Sequence, residues 1–390
     1  MSSVSALVEE ARDFIRDNWS KDIDLAEWRE KVVDAKWAAL RWPVDSYGRG
    51  LNDEEAEAVE AVFSEAGISG PGQDKFNLWA GTLVGFGTDE LKQQYVRRLL
   101  LDEVAMCLLY SEPGAGSDLA GIRTTAVRDG DEWVINGQKV WTSGAKGADI
   151  GMLIARTDWD QPKHRGISFF YFPMKQPGVE VRPLRQMTGE AEFNEVYFTD
   201  TRVPVSETLG NAGDGWRVSL TTLMNERVAI GGAIPQKGSG PIREAVKLWE
   251  KLPADRKDAA TKDKLMKLWI RSEIARLTNI RAGQNRKVGV PGPEGSIGKM
   301  ASAELNKETY ELCIELLGAE GMLYGSYEMV RPDSAMTFDY IPKAFLRARA
   351  NSIEGGTSEV MRNILGERVL GLPGDVRVDR EMPWSKVPRN

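Results

Sequence analysis

The sequence is poor in the residues that most metal and redox sites use. Its 390 residues include one histidine, His164, and two cysteines, Cys107 and Cys313. A single histidine excludes multi-histidine metal sites and leaves one candidate for a Ser-His-Asp arrangement, so no metal site is expected. Two cysteines form no disulfide framework, which favours the reducing cytoplasm. If the chain is an enzyme, carboxylates or a cofactor are expected to carry its chemistry.

The sequence also lacks an excess of positive charge and a long apolar run. Its 51 Lys and Arg against 58 Asp and Glu give a net charge of −7, which argues against a nucleic-acid partner. No apolar run approaches the ~20 residues that cross a bilayer, and Glu9 and Glu10 stand where a secretory signal would be basic or apolar. With 42% apolar and 28% charged residues, we expect a soluble globular protein of two or three domains.

Hydrophobic periodicity predicts helices, then strands, then helices again. In residues 1–105, apolar side chains recur at three- and four-residue spacing, as on one face of a helix. Residues 106–205 are expected to form a compact all-β domain. Helical periodicity returns after Gly215, with one stripe at Met266, Ile270, Ile274 and Leu277, and continues in 303–317 and 345–370. The charged, Pro-punctuated segment 373–390 is expected to be an extended arm.

Within the middle block, Asn136-Gly137 lies between two strand-like segments, 132–135 and 138–141. Because Asn-Gly tolerates the positive φ of a tight turn, we predict a β-hairpin with its turn at this dipeptide. Further strand candidates are separated by Pro, Gly and Asp, and they cover residues 150–155, 166–172, 179–184 and 194–198.

Four short segments carry a more specific signal. They are 110–118 (YSEPGAGSD), 137–143 (GQKVWTS), 194–204 (NEVYFTDTRVP) and 354–362 (EGGTSEVMR). Taken alone, the glycines of the first segment are a weak phosphate-loop signal, because no βαβ unit surrounds them. In this order and on this layout, the four segments together closely resemble the acyl-CoA dehydrogenase family, over about residues 1–372.

The resemblance implies an α+β multidomain fold: an N-terminal helical domain at 1–105, a middle β-barrel or sandwich at 106–205 and a C-terminal four-helix bundle at 213–372. It implies FAD at the junction of the β domain and the C-terminal helices. Such enzymes oxidise acyl-CoA thioesters to 2,3-enoyl-CoA: a base removes the α-proton and the β-hydride goes to flavin N5. The implied partners are acyl-CoA, an electron-transfer flavoprotein or similar acceptor, and further subunits in a homo- or hetero-oligomer, dimer-based and tetrameric.

The resemblance also assigns residues to the flavin ring. Ser111 matches the hydroxyl that bonds the pyrimidine edge, beside Tyr110 and the backbone amides of the same loop. Trp141 matches the indole packed on the isoalloxazine, followed by Thr142, and Ser143 matches the hydroxyl near N5. An aromatic cover and donors at the ring suit a flavin, which supplies the redox chemistry itself. The alternatives are a core tryptophan at position 141 and a strand-end turn residue at position 143.

Further positions match the remaining parts of the site. Thr357 and Glu359 fall where the last motif reaches the FAD diphosphate and adenosine. Ser117 matches the serine that approaches the CoA chain, and Arg227 is expected to help hold CoA or to shape the electrostatic field around Glu226. Gly355 occupies the position at which most members carry the catalytic Glu, beside the substrate.

The base is therefore expected elsewhere. In the isovaleryl-type subgroup it lies in a Glu-Arg pair on a C-terminal-domain helix, which here is Glu226-Arg227. Apolar neighbours are expected to desolvate Glu226, and a desolvated acid is suited to take a carbon-bound proton. Two alternatives remain open: Glu354 is the base after local loop rearrangement, or Glu226 is a helix acid that Arg227 compensates at a subunit contact.

The sequence departs from the family pattern in other places. An Arg followed by Phe-Gly, which contacts a neighbouring subunit's FAD in many members, is missing from 284–296. Glu315 stands where a Gln is usual, and an acid facing a diphosphate would repel it. The segment 235–241, with Pro at both ends, is expected to interrupt the helix after Glu226 and remodel the acyl cavity.

These features resemble an actinobacterial subgroup that degrades bulky acyl-CoA substrates, steroid side chains among them, partly as heterotetramers with fewer FAD sites than subunits. The first hypothesis is an FAD-dependent acyl-CoA dehydrogenase for a bulky, branched or steroid-derived acyl group. The alternative is a non-catalytic partner subunit of a heteromeric acyl-CoA dehydrogenase. A third hypothesis, an acyl-CoA oxidase or flavin monooxygenase on the same fold, stays open as well.

Overall fold

The computed structural model describes residues 3–73, 78–231, 235–287, 294–326, 328–329 and 340–388, without the side chains of 3, 224–231, 286–287 and 294. The helices in these ranges are α1 (Ser3–Asn18), α2 (Leu25–Asp34), α3 (Asp53–Glu65), α4 (Leu78–Phe86), α5 (Asp89–Leu100), α6 (Gly215–Gly231), α7 (Pro241–Lys251), α8 (Ala259–Lys287), α9 (Glu294–Leu317), α10 (Ile341–Ala348) and α11 (Ser358–Arg368). The strands are β1 (Met106–Leu109), β2 (Thr125–Asp129), β3 (Glu132–Ser143), β4 (Ile150–Arg156), β5 (Ile167–Pro173), β6 (Val179–Pro183), β7 (Phe193–Pro204) and β8 (Thr208–Leu209). This α+β arrangement has the predicted order of helices, strands and helices.

The N-terminal helices share their core with one face of the sheet. Helix α3 begins with a capping box, in which Asn52 Oδ1 accepts from the Glu55 amide at 3.0 Å and the Glu55 carboxylate accepts from the Asn52 amide at 3.1 Å. Such caps satisfy amides that have no partner within the helix. Trp28, Phe63 and other buried side chains of these helices belong to one cluster with Phe169 of β5. The helices and the sheet are therefore packed as one body.

The strands form one eight-stranded sheet in the order β6-β7-β3-β2-β4-β5-β8, with β1 paired parallel to β4. Both faces of β4 and β5 are buried, as their continuous apolar sequences require. The rings of Phe170 and Trp133 lie 5.8 Å apart, and those of Phe172 and Phe198 lie 5.1 Å apart, although their strands are not neighbours in the sheet. The sheet therefore curls around a second apolar core.

The predicted hairpin at Asn136-Gly137 is wrong. Strand β3 runs through this dipeptide, and the tight turn lies at Gly130-Asp131, between β2 and β3. The Asn136 side chain instead exchanges two hydrogen bonds with Asp200, each 2.9 Å long. Gly137 has φ +151° at a register shift, and a Cβ there would lie 2.7 Å from the Thr124 Cα. The glycine serves a bulge and a close backbone approach rather than a turn.

The C-terminal helices have their own core cluster, which includes Leu268, Leu312 and Ala348. The sequence periodicity over 345–370 is divided, because α10 ends at Ala348 and α11 begins at Ser358, with a 3-10 turn and a loop between them. The structure confirms the predicted interruption of the helix after α6. Residues 235–240 are non-helical, and α7 begins at Pro241. Pro is favourable at a first helical position because its missing N–H is not needed there.

The last described segment is extended but docked on the sheet. Trp384 is 6% exposed, its amide donates to the Gln161 carbonyl at 2.9 Å, and the Arg156 guanidinium lies 5.2 Å from its ring. Lys163 pairs with Asp379 at 3.5 Å. Within the ranges described above, no helix is long and apolar enough to span a membrane.

We expect Gly137→Ala to lower the free energy of unfolding by about 1–3 kcal/mol, because the added Cβ meets backbone atoms at a φ that alanine rarely adopts. Gly147→Ala is the matched control, because a Cβ at that turn position meets nothing within 4 Å. Thermal unfolding of both variants measures the difference. Equal unfolding temperatures for the two variants would contradict the strained-bulge interpretation.

Candidate functional site

A buried ion pair fixes the loop that follows β1. The Lys139 ammonium, 0% exposed, donates to Glu112 Oε1 at 2.8 Å and to the Tyr110 carbonyl at 3.0 Å. The Glu112 carboxylate also accepts from the amides of Arg123 (2.6 Å) and Thr124 (2.9 Å). Burial raises the pKa of the Glu112 carboxyl, but Lys139 and these hydrogen bonds outweigh it, so this pKa lies below its usual range. Glu112 is thus held as a carboxylate.

This ion pair sets the conformation of the 110–118 motif. The Ser111 carbonyl accepts from the Val140 amide at 2.9 Å, so the loop joins β3 just before Trp141. Glu112 and Ala115 exchange two backbone hydrogen bonds, of 3.1 and 3.0 Å, which close the turn. Gly114 and Gly116 each have open space where a Cβ would lie. The half-buried Ser111 and an accessible loop backbone therefore lie beside the end of β3.

Trp141 occupies a second irregularity of β3. The register against β7 shifts between Lys139 and Thr142, and Trp141 has φ +61°. Its indole is 57% exposed and meets the ring of Phe193 edge-on at 5.7 Å. Ser143 is exposed as well. The bulge turns an indole and a hydroxyl of one strand outwards, at the end of β3 beside the start of the 110–118 loop.

Thr142 is placed differently from its neighbours. Its side chain is 1% exposed, and its carbonyl accepts from Asn194 Nδ2 at 3.0 Å. Because the side chain is buried in the sheet, Thr142 can reach a ligand on the exposed side only through its backbone. Its predicted contact with the cofactor stays a prediction.

The loop between α10 and α11 faces the sheet through charged contacts. The Arg347 guanidinium, on α10, bonds both oxygens of Glu354, at 2.9 and 3.3 Å, and lies 3.3 Å from Glu192 Oε1, just before β7. Asn351 Nδ2 also donates to Glu354 Oε1 at 2.7 Å. One helical turn earlier, Lys343 pairs with Glu190 at 2.6 Å. Glu354 is therefore committed to hydrogen bonds within the fold.

Two glycines and a capping threonine lie between Glu354 and the first turn of α11. Gly355 and Gly356 have φ of +62° and +96°, and a Cβ at Gly355 would come no closer than 4.0 Å to another atom. The Thr357 hydroxyl caps α11 by accepting from the Val360 amide at 3.1 Å. Helix N-termini next to accessible glycine backbone favour phosphate groups. Glu359, on the first turn, is exposed and pairs with Arg362 at 3.2 Å.

Ser117 lies at a separate cleft of about 710 Å³. The cleft is also lined by His164 and Trp216, whose rings lie 4.8 Å apart, and by Arg377 and Arg380 of the C-terminal segment. Burial, together with the charge of Lys163, lowers the pKa of His164. This cleft is large enough for part of a small-molecule ligand.

Several predicted residues contribute no described side-chain contact to this site. The backbone of Glu226 and Arg227 is part of α6, but the structure does not describe their side chains. In the 284–296 segment, residues 288–293 are outside them as well. Glu315 lies on α9 and is paired with Lys264 at 2.7 Å. Among the residues with described positions, no group of His, Cys, Asp and Glu could hold a metal ion.

Sequence reasoning missed two buried cations that organise the site. Lys139 carries a signal, because it precedes the apolar pair Val140-Trp141, and a charged residue buried beside such a pair requires a partner. Arg347 carries none, since basic residues are common on helices and one of its two acidic partners, Glu192, lies far away in sequence. The exposed indole, the hydroxyls beside it and the glycine-led start of α11 together fit an aromatic ring system with a phosphorylated tail.

Comparisons with known proteins identify the family of the chain. Residues 107–201 match the family model of the acyl-CoA dehydrogenase middle domain, and residues 213–370 match that of the C-terminal domain. The chain is 36% identical over 359 residues to acyl-CoA dehydrogenase IpdE1 of Mycobacterium tuberculosis, covering 90% of this chain and 88% of that protein. It resembles the solved Tcur3481-Tcur3483 steroid ACAD with a TM-score of 0.69 and 27% identity, over 96% of this chain and 99% of the other. For the ChsE4-ChsE5 complex from Mycobacterium tuberculosis the TM-score is 0.65 at 28% identity, over 96% and 99% of the two chains. The chain therefore belongs to the acyl-CoA dehydrogenase family.

Proposed function

We propose that this FAD-dependent acyl-CoA dehydrogenase converts a bulky, branched or steroid-derived acyl-CoA thioester to its 2,3-enoyl-CoA. The observation that carries the substrate class is the likeness, over nearly the whole chain, to a structure described as a steroid ACAD. The break after α6 supports it. Residues 235–240 are packed on α8: the Gly238 amide donates to Glu273 Oε1 at 3.3 Å, and the Lys237 ammonium lies 5.3 Å from the Trp269 ring. A loop anchored in this way gives any cavity beside it a different wall from that of a continuous helix.

In this proposal the exposed end of β3 holds the flavin ring. The Trp141 indole covers the ring, while Ser111 and Ser143 donate hydrogen bonds to its edge, with Tyr110 and Thr142 contributing backbone only. Bound FAD supplies the acceptor for the hydride that leaves the substrate β-carbon. The bulge and the Glu112–Lys139 ion pair fix these groups before the cofactor arrives, which lowers the entropy cost of binding it.

The N-terminus of α11 is proposed to hold the FAD diphosphate. The dipole of the helix start and the accessible backbone at Gly355 favour an anion there, beside Thr357. A carboxylate on the first turn would compete with a phosphate for the same amides if it bonded them. Glu359 is therefore proposed to point away from the diphosphate and to reach the adenosine. Ser117, at the cleft, and Arg227 are proposed to contact the acyl-CoA, and Gly355 leaves room for it.

Glu226 is proposed as the base that takes the α-proton of the substrate. Glu354, the alternative, already accepts hydrogen bonds from Arg347 and Asn351. A carboxylate in such contacts must break them before it can approach a carbon-bound proton. Gly355, at the position where most members carry their base, has no side chain. This leaves Glu226, on α6, as the acid that the family pattern assigns to this role.

The assembly is proposed to be a dimer-based oligomer, with a second copy or a related chain as partner. The predicted stripe on α8 is exposed, at 44% for Met266, 49% for Ile270, 57% for Ile274 and 55% for Leu277. A groove of about 160 Å³ between α8 and α9 continues it. A contiguous apolar helix face of this kind is typical of a subunit contact. Two of the similar solved structures are titled as pairs of differently named chains, which keeps the partner-subunit hypothesis open.

Compartment and electron acceptor follow from the same proposal. Cys107 and Cys313 are free and buried, and burial raises the pKa of each thiol to about 12. Inert, unpaired thiols are compatible with the reducing cytoplasm. An electron-transfer flavoprotein or a similar acceptor is proposed to remove the electrons after each turnover.

The base assignment predicts that Glu226→Gln binds FAD and acyl-CoA but loses reduction of the flavin. Removal of a general base costs about 10²–10⁴ in rate. Single-turnover bleaching of bound flavin by acyl-CoA, at saturating FAD, measures this step. Glu354→Gln is the matched control and is expected to stay within about tenfold of the parent rate. Loss of bleaching in the Glu354 variant alone would move the base to the 352–357 loop.

Trp141→Ala is expected to weaken FAD binding about tenfold or more while leaving the unfolding temperature nearly unchanged. Aromatic stacking on a flat heterocycle is worth about 1–3 kcal/mol in nucleic-acid complexes, which serve as the analogy. Titration of apoprotein with FAD, followed by flavin fluorescence, measures the affinity. Trp19→Phe is a control for loss of an indole away from β3. Unchanged FAD affinity in the Trp141 variant would remove this residue from the cofactor site.

The oligomer proposal predicts that Ile270→Glu with Ile274→Glu reduces the molar mass in solution, because two charges are buried in the contact. Lys267→Glu, exposed on the same helix, is the control. Light scattering after size exclusion, with the flavin-to-chain ratio from absorbance, measures both assembly and cofactor content. The partner-subunit hypothesis predicts a flavin-to-chain ratio near zero for the chain purified alone. After co-expression with a related subunit, it predicts about one flavin per pair of chains.

A further inference from the structure

We propose that Arg347 is a positioning residue of the flavin site, because it connects the end of β3 that carries Trp141 to the loop that precedes α11. The inference rests on the proposed flavin site and assigns a role to a residue outside the four motifs.

The first step is the pair of acids that Arg347 joins. Its side chain is 2% exposed, and it lies between Glu192, just before β7 and 3% exposed, and Glu354 of the loop, 29% exposed. The guanidinium donates hydrogen bonds to both Glu354 oxygens, and its Nε forms an ion pair with Glu192 Oε1 at 3.3 Å without hydrogen-bond geometry. A planar guanidinium presents donors on several edges, so it can serve two carboxylates at once, whereas an ammonium is a compact point charge.

The second step leads from Arg347 to the exposed indole. The guanidinium carbon lies 5.7 Å from the centre of the Phe193 ring, at a distance suited to a cation–π contact. Phe193 in turn meets the Trp141 ring edge-on at 5.7 Å. Phe193 also stands opposite Ser143 in the β3–β7 ladder. A shift of Arg347 is therefore transmitted through one ring to the indole and the hydroxyl proposed to hold the flavin.

The third step leads from Arg347 to the phosphate side. Glu354 is followed directly by Gly355 and Gly356, which both adopt positive φ, and then by the cap residue Thr357. Glycines give a loop many accessible conformations. The two hydrogen bonds between Arg347 and Glu354 restrict that freedom at the residue just before the two glycines. One side chain thus holds the ring side and the phosphate side of the proposed site in a fixed relation.

A merely structural role can be distinguished by a control at the same junction. Lys343 lies on α10 one turn before Arg347, is 5% exposed, and pairs with Glu190, two residues before Glu192. Lys343→Met removes a comparably buried ion pair between the same parts of the chain. Loss of packing alone predicts similar effects of the two substitutions on stability and on FAD binding.

The experiment compares Arg347→Lys, Arg347→Met and Lys343→Met in the full chain. Apoprotein is titrated with FAD, and the affinity, the visible circular dichroism of bound flavin and the unfolding temperature are recorded. We expect both Arg347 variants to bind FAD about tenfold more weakly, with an altered flavin dichroism, because one contact of the fork is lost even when the charge is kept. Lys343→Met is expected to lower the unfolding temperature with FAD affinity within about twofold of the parent.

Glu354→Gln keeps the experiment decisive if the Arg347 variants fail to fold, since it weakens the same contact from the loop side. It is expected to weaken FAD binding in the same direction. Parent-like affinity and dichroism in Arg347→Lys or, failing that, in Glu354→Gln would overturn the inference, as would an equal loss of affinity in Lys343→Met. A parent chain that binds no FAD under the same conditions would instead contradict the proposed flavin site itself.

Discussion

The candidate site depends above all on the ion pair between Lys139 and Glu112, because it is buried and joins three segments. It connects β3 to the 110–118 loop, and the same carboxylate holds the amides of Arg123 and Thr124. Taking one partner from a buried pair leaves a charge without compensation, at a cost of about 3–5 kcal/mol. The geometry of the Ser111 segment therefore follows from a contact that no ligand has to provide.

The same strand shows how an irregularity of one residue separates structural and functional side chains. In a regular strand, residues 139, 141 and 143 would share a face. The register shift after Lys139 breaks this alternation, so the ammonium is buried while Trp141 and Ser143 are exposed. Left-handed backbone is unfavourable for a bulky residue, and the flanking ladder with β7 holds it. The strain is local, and it lies where an aromatic surface is presented to solvent.

Periodicity and motifs predicted the order of helices and strands, because burial patterns leave a direct trace in sequence. They failed at Asn136-Gly137, where a dipeptide typical of turns lies at a bulge instead. The glycine is required by the close approach of Thr124, and the Asn136 side chain bonds Asp200. A local sequence signal contains no information about either of these long-range neighbours. Trp141 and Ser143 could be chosen from the motif, but their exposure depends on pairing with β7. Arg347 could not be found, because its partners, Glu192 and Glu354, meet it only in the folded chain.

The candidate site extends over parts of the chain that are supported by two separate apolar cores. The N-terminal helices share one cluster with the sheet, whereas α7–α10 have a cluster of their own. Units with separate cores open and exchange their amides with separate free energies. The indole lies on the sheet, whereas the start of α11 is attached to α9, because the Ser358 hydroxyl donates to Glu304 at 2.7 Å. The two sides of the proposed cofactor site thus rest on different cores. A ligand that touches both sides binds only when both are closed, so its binding energy adds to the coupling that Arg347 already provides. Filling the site would make the amides around the two cores exchange more nearly together.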